Sequence, residues 1–106
     1  MHDPDPAGAA FDALGDPTRR AIVSELGRSD SVTATQLADG LPMSRQAVAK
    51  HLAALSEAGI VCSARVGRET RYRLEPSALE VPQAWLGGVA RAWDARLDRL
   101  RRLVED

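Results

Sequence analysis

The chain has 106 residues, 44% hydrophobic and 27% charged, with a formal net charge of −1, which is the composition of one soluble globular domain with a modest core. A single cysteine, Cys62, excludes an intrachain disulfide and suits a reducing compartment. No apolar run approaches the roughly 20 residues that span a bilayer, and the acidic, Pro-rich start MHDPDPAG is unlike a signal peptide, so residues 1–8 are expected to be flexible and the cytoplasm is the expected location.

The elements follow from caps and periodicity. A first helix is predicted over about Ala7–Leu14. Asp16-Pro17 supplies an N-cap and a proline at the first helical position, starting a second helix over Pro17–Leu26 that stops at Gly27. Residues 28–32 are a polar loop. Thr33 or Thr35 caps a short third helix carrying Leu37, Ala38 and Leu41, closed by Gly40 and Pro42. Ser44 caps a fourth helix over Arg45–Ala58, where Val48, Leu52 and Leu55 form one buried stripe before Gly59. Two strands follow, Ile60–Val66 and Thr70–Leu74, joined by Gly67-Arg68-Glu69. Thr70, Tyr72 and Leu74 alternate with Arg71 and Arg73, so one face packs while the other offers arginines. Pro76, Ser77 and Pro82 break the chain before a helix over Gln83–Val104, in which Leu86, Val89, Trp93, Leu97, Leu100 and Val104 repeat at intervals of three and four. Gly87-Gly88 weakens that helix, so it either starts later or uses the glycines for a close approach.

The predicted order is α-α-α-α-β-β-α, a mainly helical chain with a small hairpin: a winged helix-turn-helix. Its third and fourth helices are joined by the turn Gly40-Leu41-Pro42-Met43, and in this motif the second helix enters the major groove by its N-terminal end. At 100° per residue, Gln46, Lys50 and Ala53 point away from the core, with Arg45 and Ala49 on the flank. Arg and Lys match guanine O6/N7 and Gln matches adenine N6/N7, Ala49 allows close approach, and Ser44 with the first amides of the helix suits phosphate. Charge agrees. Residues 44–73 hold six basic side chains (Arg45, Lys50, Arg65, Arg68, Arg71, Arg73) against Glu57 and Glu69, between acidic flanks, a footprint for a polyanion. Arg65, Arg68 and Arg71 are the wing residues expected to meet phosphate or a neighbouring minor groove.

The segments FDALGDPTRRAIVSEL, QLADGLPMSRQAVAKHLAALSEAGIV and GRETRYRL resemble the ArsR/SmtB family of bacterial winged-helix repressors, closely over Phe11–Leu74 and more loosely beyond. The resemblance implies a homodimer built from the first and last helices, here Phe11 with Leu86, Val89, Trp93, Leu97, Leu100 and Val104. It also implies repression at an imperfect palindromic operator, often of the repressor's own operon. The family's base-contacting positions fall on Arg45, Gln46, Ala49 and Lys50. His51 matches a histidine common at its place, and by angle it is packed or phosphate-bonded rather than a switch.

The sequence departs from the family at its metal sites. Where many relatives carry Cys-x-Cys, this chain reads Thr33-Ala34-Thr35, and a hydroxyl does not replace a thiolate for a soft metal. The last helix offers Asp94, Asp98, Glu105 and Asp106 but no histidine. No metal and no cofactor are therefore expected, and a site drawing on His2 and a partner chain is the remaining way to one. Cys62 is expected to be a small core residue, with oxidant sensing as the alternative. Trp85 and Trp93 are expected to pack a dimer, with a pocket for a small-molecule inducer as the alternative. No nucleophile motif, phosphate loop or acid–base pair points to an enzyme. A winged helix that binds only protein is the other class, and the wing arginines argue against it.

Overall fold

The computed structural model describes residues 5–105. Its elements are α1 (Pro6–Leu14), α2 (Pro17–Leu26), β1 (Val32–Thr33), α3 (Ala34–Asp39), α4 (Arg45–Glu57), β2 (Val61–Val66), β3 (Glu69–Leu74) and α5 (Pro76–Glu105). The helix starts are set by side-chain caps, which satisfy amides that the helix itself leaves unpaired. Asp16 Oδ1 accepts from the amides of Thr18 at 2.7 Å and Arg19 at 3.4 Å. Thr33 and Gln36 form a reciprocal capping box, at 3.1 Å from the Gln36 amide to Thr33 Oγ1 and 2.9 Å from the Thr33 amide to Gln36 Oε1. The Ala47 amide donates to Ser44 Oγ at 3.1 Å. At the other end of α4, Gly59 adopts φ +78°, and the amides of Gly59 and Ile60 return to the carbonyls of Ser56 and Leu55, the bond pair of a Schellman stop. The last carbonyls of α1 are met by the next helix: Arg20 donates to Leu14 O at 2.6 Å and Arg19 to Ala13 O at 3.5 Å.

The stripes so aligned share one core of Ala10, Ala13, Ile22, Leu26, Leu37, Val48, Leu52, Leu55, Ile60 and Val61, with Tyr72, Leu74 and Leu79 packed at its margin. The sheet is antiparallel in the order β1-β3-β2.

Three local expectations are corrected. The polar loop extends over 28–31 only, because Val32 and Thr33 pair with Tyr72 and Arg71. Pairing is set by residues about 40 positions away, and a two-residue strand has no periodicity of its own. The wing turn has two residues, not three: Val66 is paired with Glu69, leaving Gly67 at φ +64° and Arg68, the pattern of a type II′ turn with glycine at its first central position. Pro76 and Pro82 do not break the chain. Pro76 begins α5, where a missing amide costs nothing, and Pro82 sits within the helix with its ring buried, burial offsetting the hydrogen bond that proline forfeits. Gly87 and Gly88 are helical too, and a Cβ at Gly87 would meet only the end of the Arg91 side chain, at 3.1 Å, so no part of this chain requires a glycine there. Smaller shifts place α1 one residue earlier than expected, so that Pro6, Ala7 and Gly8 of the expected flexible leader are helical, and leave Leu41 beyond α3. Residues 1–4 lie outside the described residues.

Candidate nucleic-acid interface

The α3–α4 pair carries its cap at the exposed end. Val48, Leu52 and Leu55 are fully buried, which turns Gln46 and Lys50 to solvent on the opposite side and leaves Arg45 and Ala49 exposed on the flank. Ser44 is exposed as well, its hydroxyl oxygen accepting from the helix while its proton remains free to donate. His51 is half-buried on the flank and lies close enough to Asp16 for its positive form to favour the carboxylate. The Asp16 carboxyl is held below its ordinary range chiefly by the Thr18 amide, with His51 and Arg19 as lesser contributors.

Strand parity sorts the wing arginines. Residues paired across the ladder share a face, so Val61, Ser63, Arg65, Thr70, Tyr72 and Leu74 line one side and Cys62, Ala64, Val66, Glu69, Arg71 and Arg73 the other. The first face packs on the core at its base. Beyond the core it opens into a cleft of about 590 Å³, lined on the helical side by Thr33–Gln36, Arg45 and Ala49, and on the wing side by Arg65, Arg68, Glu69, Thr70 and Tyr72. The fourth helix and the wing tip thus present cationic side chains to one space. Thr35 and Gln36 join them there, although sequence reasoning singled out neither for this role. The Thr-x-x-Gln spacing of the capping box is the signal that could have found Gln36.

The outer face differs. Arg71 is half-buried and donates to Ser31 Oγ at 2.8 Å, to the Ser31 carbonyl at 2.9 Å and to Glu69 at 3.2 Å. Arg73 lies 3.6 Å from Glu75. Among the described residues, Arg65 and Arg68 have no acidic partner within salt-bridge distance. Cys62 also lies on this face, half-buried rather than in the core where it was expected, its thiol donating to Glu75 Oε2 at 3.6 Å. The Glu75 carboxyl is held low by the Ser77 hydroxyl first and the Cys62 thiol second.

In Thr33-Ala34-Thr35, Thr33 Oγ1 is used as a helix cap and Thr35 is exposed. Among the described residues, no three His, Cys, Asp or Glu side chains are grouped to hold a metal ion, and no helix is long and apolar enough to cross a membrane.

A separate surface runs along α5. Its stripe is bare: Trp85 is 56% exposed, and Leu86, Val89, Trp93, Leu100 and Val104 are exposed with it, while Leu97 is half-buried. Phe11 of α1 meets Trp85 edge-to-face at 5.6 Å between ring centroids.

A helix-turn-helix domain model matches residues 14–62, a span that holds α3 and α4. The HTH-type transcriptional regulator Rv2034 of Mycobacterium tuberculosis is 36% identical over 96 residues, covering 91% of this chain and 86% of that protein. An ArsR-like transcriptional regulator from Rhodococcus sp. RHA1 superposes with a TM-score of 0.78 at 43% identity over 92% of both chains. The chain belongs to the ArsR/SmtB family. The arsenical resistance operon repressor of Escherichia coli is a more distant relative, 29% identical over 91% of this chain and 80% of its own length. As an ArsR/SmtB-type winged helix-turn-helix protein, the chain is a DNA-binding transcriptional regulator, and the exposed face of α4 is its candidate reading surface.

Proposed function

We propose that this ArsR/SmtB protein is a homodimeric cytoplasmic repressor, without catalytic activity, that represses its own operon from an imperfect palindrome. Ser44, Arg45, Gln46, Ala49, Lys50 and His51 line the major groove, with Arg65 and Arg68 on adjacent backbone or minor groove. The observation that carries this reading is the cleft in which Arg45 and Ala49 of α4 stand across from Arg65 and Arg68 of the wing. A stretch of DNA backbone running past that cleft meets both groups at once. Arg45, Gln46 and Lys50 discriminate bases, each good contact being worth roughly 1–3 kcal/mol, and the wing adds affinity that does not depend on sequence.

Dimerisation is supported by the bare stripe on α5 and by shape. The radius of gyration is 18.4 Å, where a compact chain of this length has about 13 Å. Pairing through Phe11, Leu86, Val89, Trp93, Leu97, Leu100 and Val104 covers the stripe and sets two copies of α4 about 34 Å apart, one helical turn of DNA. With threonines at the thiol positions, metal is not the signal at that place, and release follows another ligand or concentration alone.

The deciding experiment is a mobility shift of the purified protein on its own upstream DNA, with random DNA as competitor and a salt titration. Binding that random DNA does not displace, and that falls steeply with salt through counterion release, is the expected result. Affinity no better than for random DNA would overturn autoregulation.

A further inference from the structure

Four arginines crowd the wing, and the structure divides them. Arg65 and Arg68 are exposed towards the cleft, whereas Arg71 is half-buried and engaged at three nitrogens. Its main partner is remote in sequence. Ser31 precedes the two-residue strand β1, and Thr33, two positions on, pairs with Arg71 across the ladder. The Ser31 hydroxyl and carbonyl lie beside the Arg71 guanidinium, at 2.8 and 2.9 Å, and its planar fork reaches both.

This contact sits where the wing joins the helix-turn-helix. Thr33 ends β1 and caps α3 in the same residue. A restraint on Ser31 is therefore a restraint on the start of α3, which packs against α4. The strand itself supplies little restraint, being only two residues long.

We propose that Arg71 is a positioning residue that clamps the wing to the start of α3, and that it does so in place of the phosphate contact its charge suggests. The clamp fixes the angle of the hairpin so that Arg65 and Arg68 stand opposite Arg45 and Ala49. This rests on the reading of the wing as a DNA contact, and the experiment separates the two.

Operator affinity is measured against salt for wild type, Ser31→Ala, Arg71→Lys, the two combined, and Arg68→Ala. A phosphate contact contributes about 0.9 to the slope of log affinity against log salt. Arg68→Ala is expected to lower the slope by roughly that amount per subunit. Arg71→Lys keeps the charge but loses the fork, so it is expected to lose about tenfold in affinity with the slope unchanged. Ser31→Ala carries no charge and lies outside the wing, and is expected to lose several-fold with the slope unchanged. The combined variant is expected to be no weaker than Arg71→Lys. In a background of Arg65→Ala with Arg68→Ala, Ser31→Ala should have no further effect, because the groups that the clamp positions are gone. A general loss of stability would weaken binding equally in both backgrounds. If Ser31→Ala binds like wild type, or weakens both backgrounds equally, the clamp is overturned while the wing contact stands. If the Arg65→Ala with Arg68→Ala background binds like wild type with an unchanged slope, the wing does not touch DNA and both readings fall.

Discussion

Helices α4 and α5 are both amphipathic, yet they use their apolar faces differently. α4 has 13 residues, and its stripe of Val48, Leu52 and Leu55 is fully buried by the rest of the chain. α5 has 30 residues, and only Pro82 among them is buried, while a row of large apolar side chains along it stays exposed. A monomer seldom leaves so extended an apolar surface open. The difference teaches that burial has two levels here: it is complete within the chain for the reading helix, and for the long one it is left to the second copy proposed above.

The contrast breaks most severely at Leu52. Leu52→Ala leaves a cavity at a fully buried site and is expected to cost about 2–5 kcal/mol, seen as a lowered midpoint in denaturant with unfolding of the whole winged helix. A loss below 1 kcal/mol would show that α4 is not anchored as described. Trp93→Asp tests the other level. It is expected to leave the helical circular dichroism in place, shift the sedimenting species to the 11.4 kDa monomer, and lower operator affinity by about a hundredfold, as two half-sites no longer bind together. A variant that sediments like wild type would remove α5 as the pairing surface.

The solvent face of α4 gives a smaller effect. Lys50→Ala is expected to cost roughly 1–3 kcal/mol on the operator and little on random DNA. An equal loss on both would make Lys50 a phosphate contact. The smallest effect concerns the cap of α2. Asp16 has a lowered pKa in the folded state, so it contributes stability that is present above its unfolded value of 3.8 and is lost as pH falls through the lower folded value. Asp16→Asn keeps a capping oxygen without the charge. Thermal melts from pH 7 down to pH 2 are therefore expected to converge for the two proteins at the acid end, with wild type the more stable near neutrality. Parallel curves would remove the charge of Asp16 from the account.

Much of this architecture was legible in the sequence because its signals are local. Asp16-Pro17, Ser44 and Gly59 mark helix ends through bonds that span no more than five residues. The wing was legible as a hairpin but not in its register. A three-residue turn would pair Arg65 with Arg71 and place them on one face, whereas the two-residue turn pairs Arg65 with Thr70 and sends Arg71 to the opposite side. One residue in the turn thus decides which arginines face the cleft. β1 was missed because a distant strand creates it, and the early start of α5 because Pro82 was read by its backbone alone rather than by the burial of its ring. The outward face of α4 follows from periodicity, since its inward stripe is unbroken, but the presence of Thr35 and Gln36 beside it depends on how α3 packs.

The bare face of α5 has a consequence for dosage. A fold whose burial is completed by a second copy is stabilised by mass action, so its thermal midpoint rises with concentration. Where few of the chains are paired, the concentration of operator-competent pairs grows as the square of the number of chains. Under the proposed autoregulation, such a repressor shuts its operon off more sharply than a monomer would, and each dilution at cell division lowers the pairs by more than it lowers the chains.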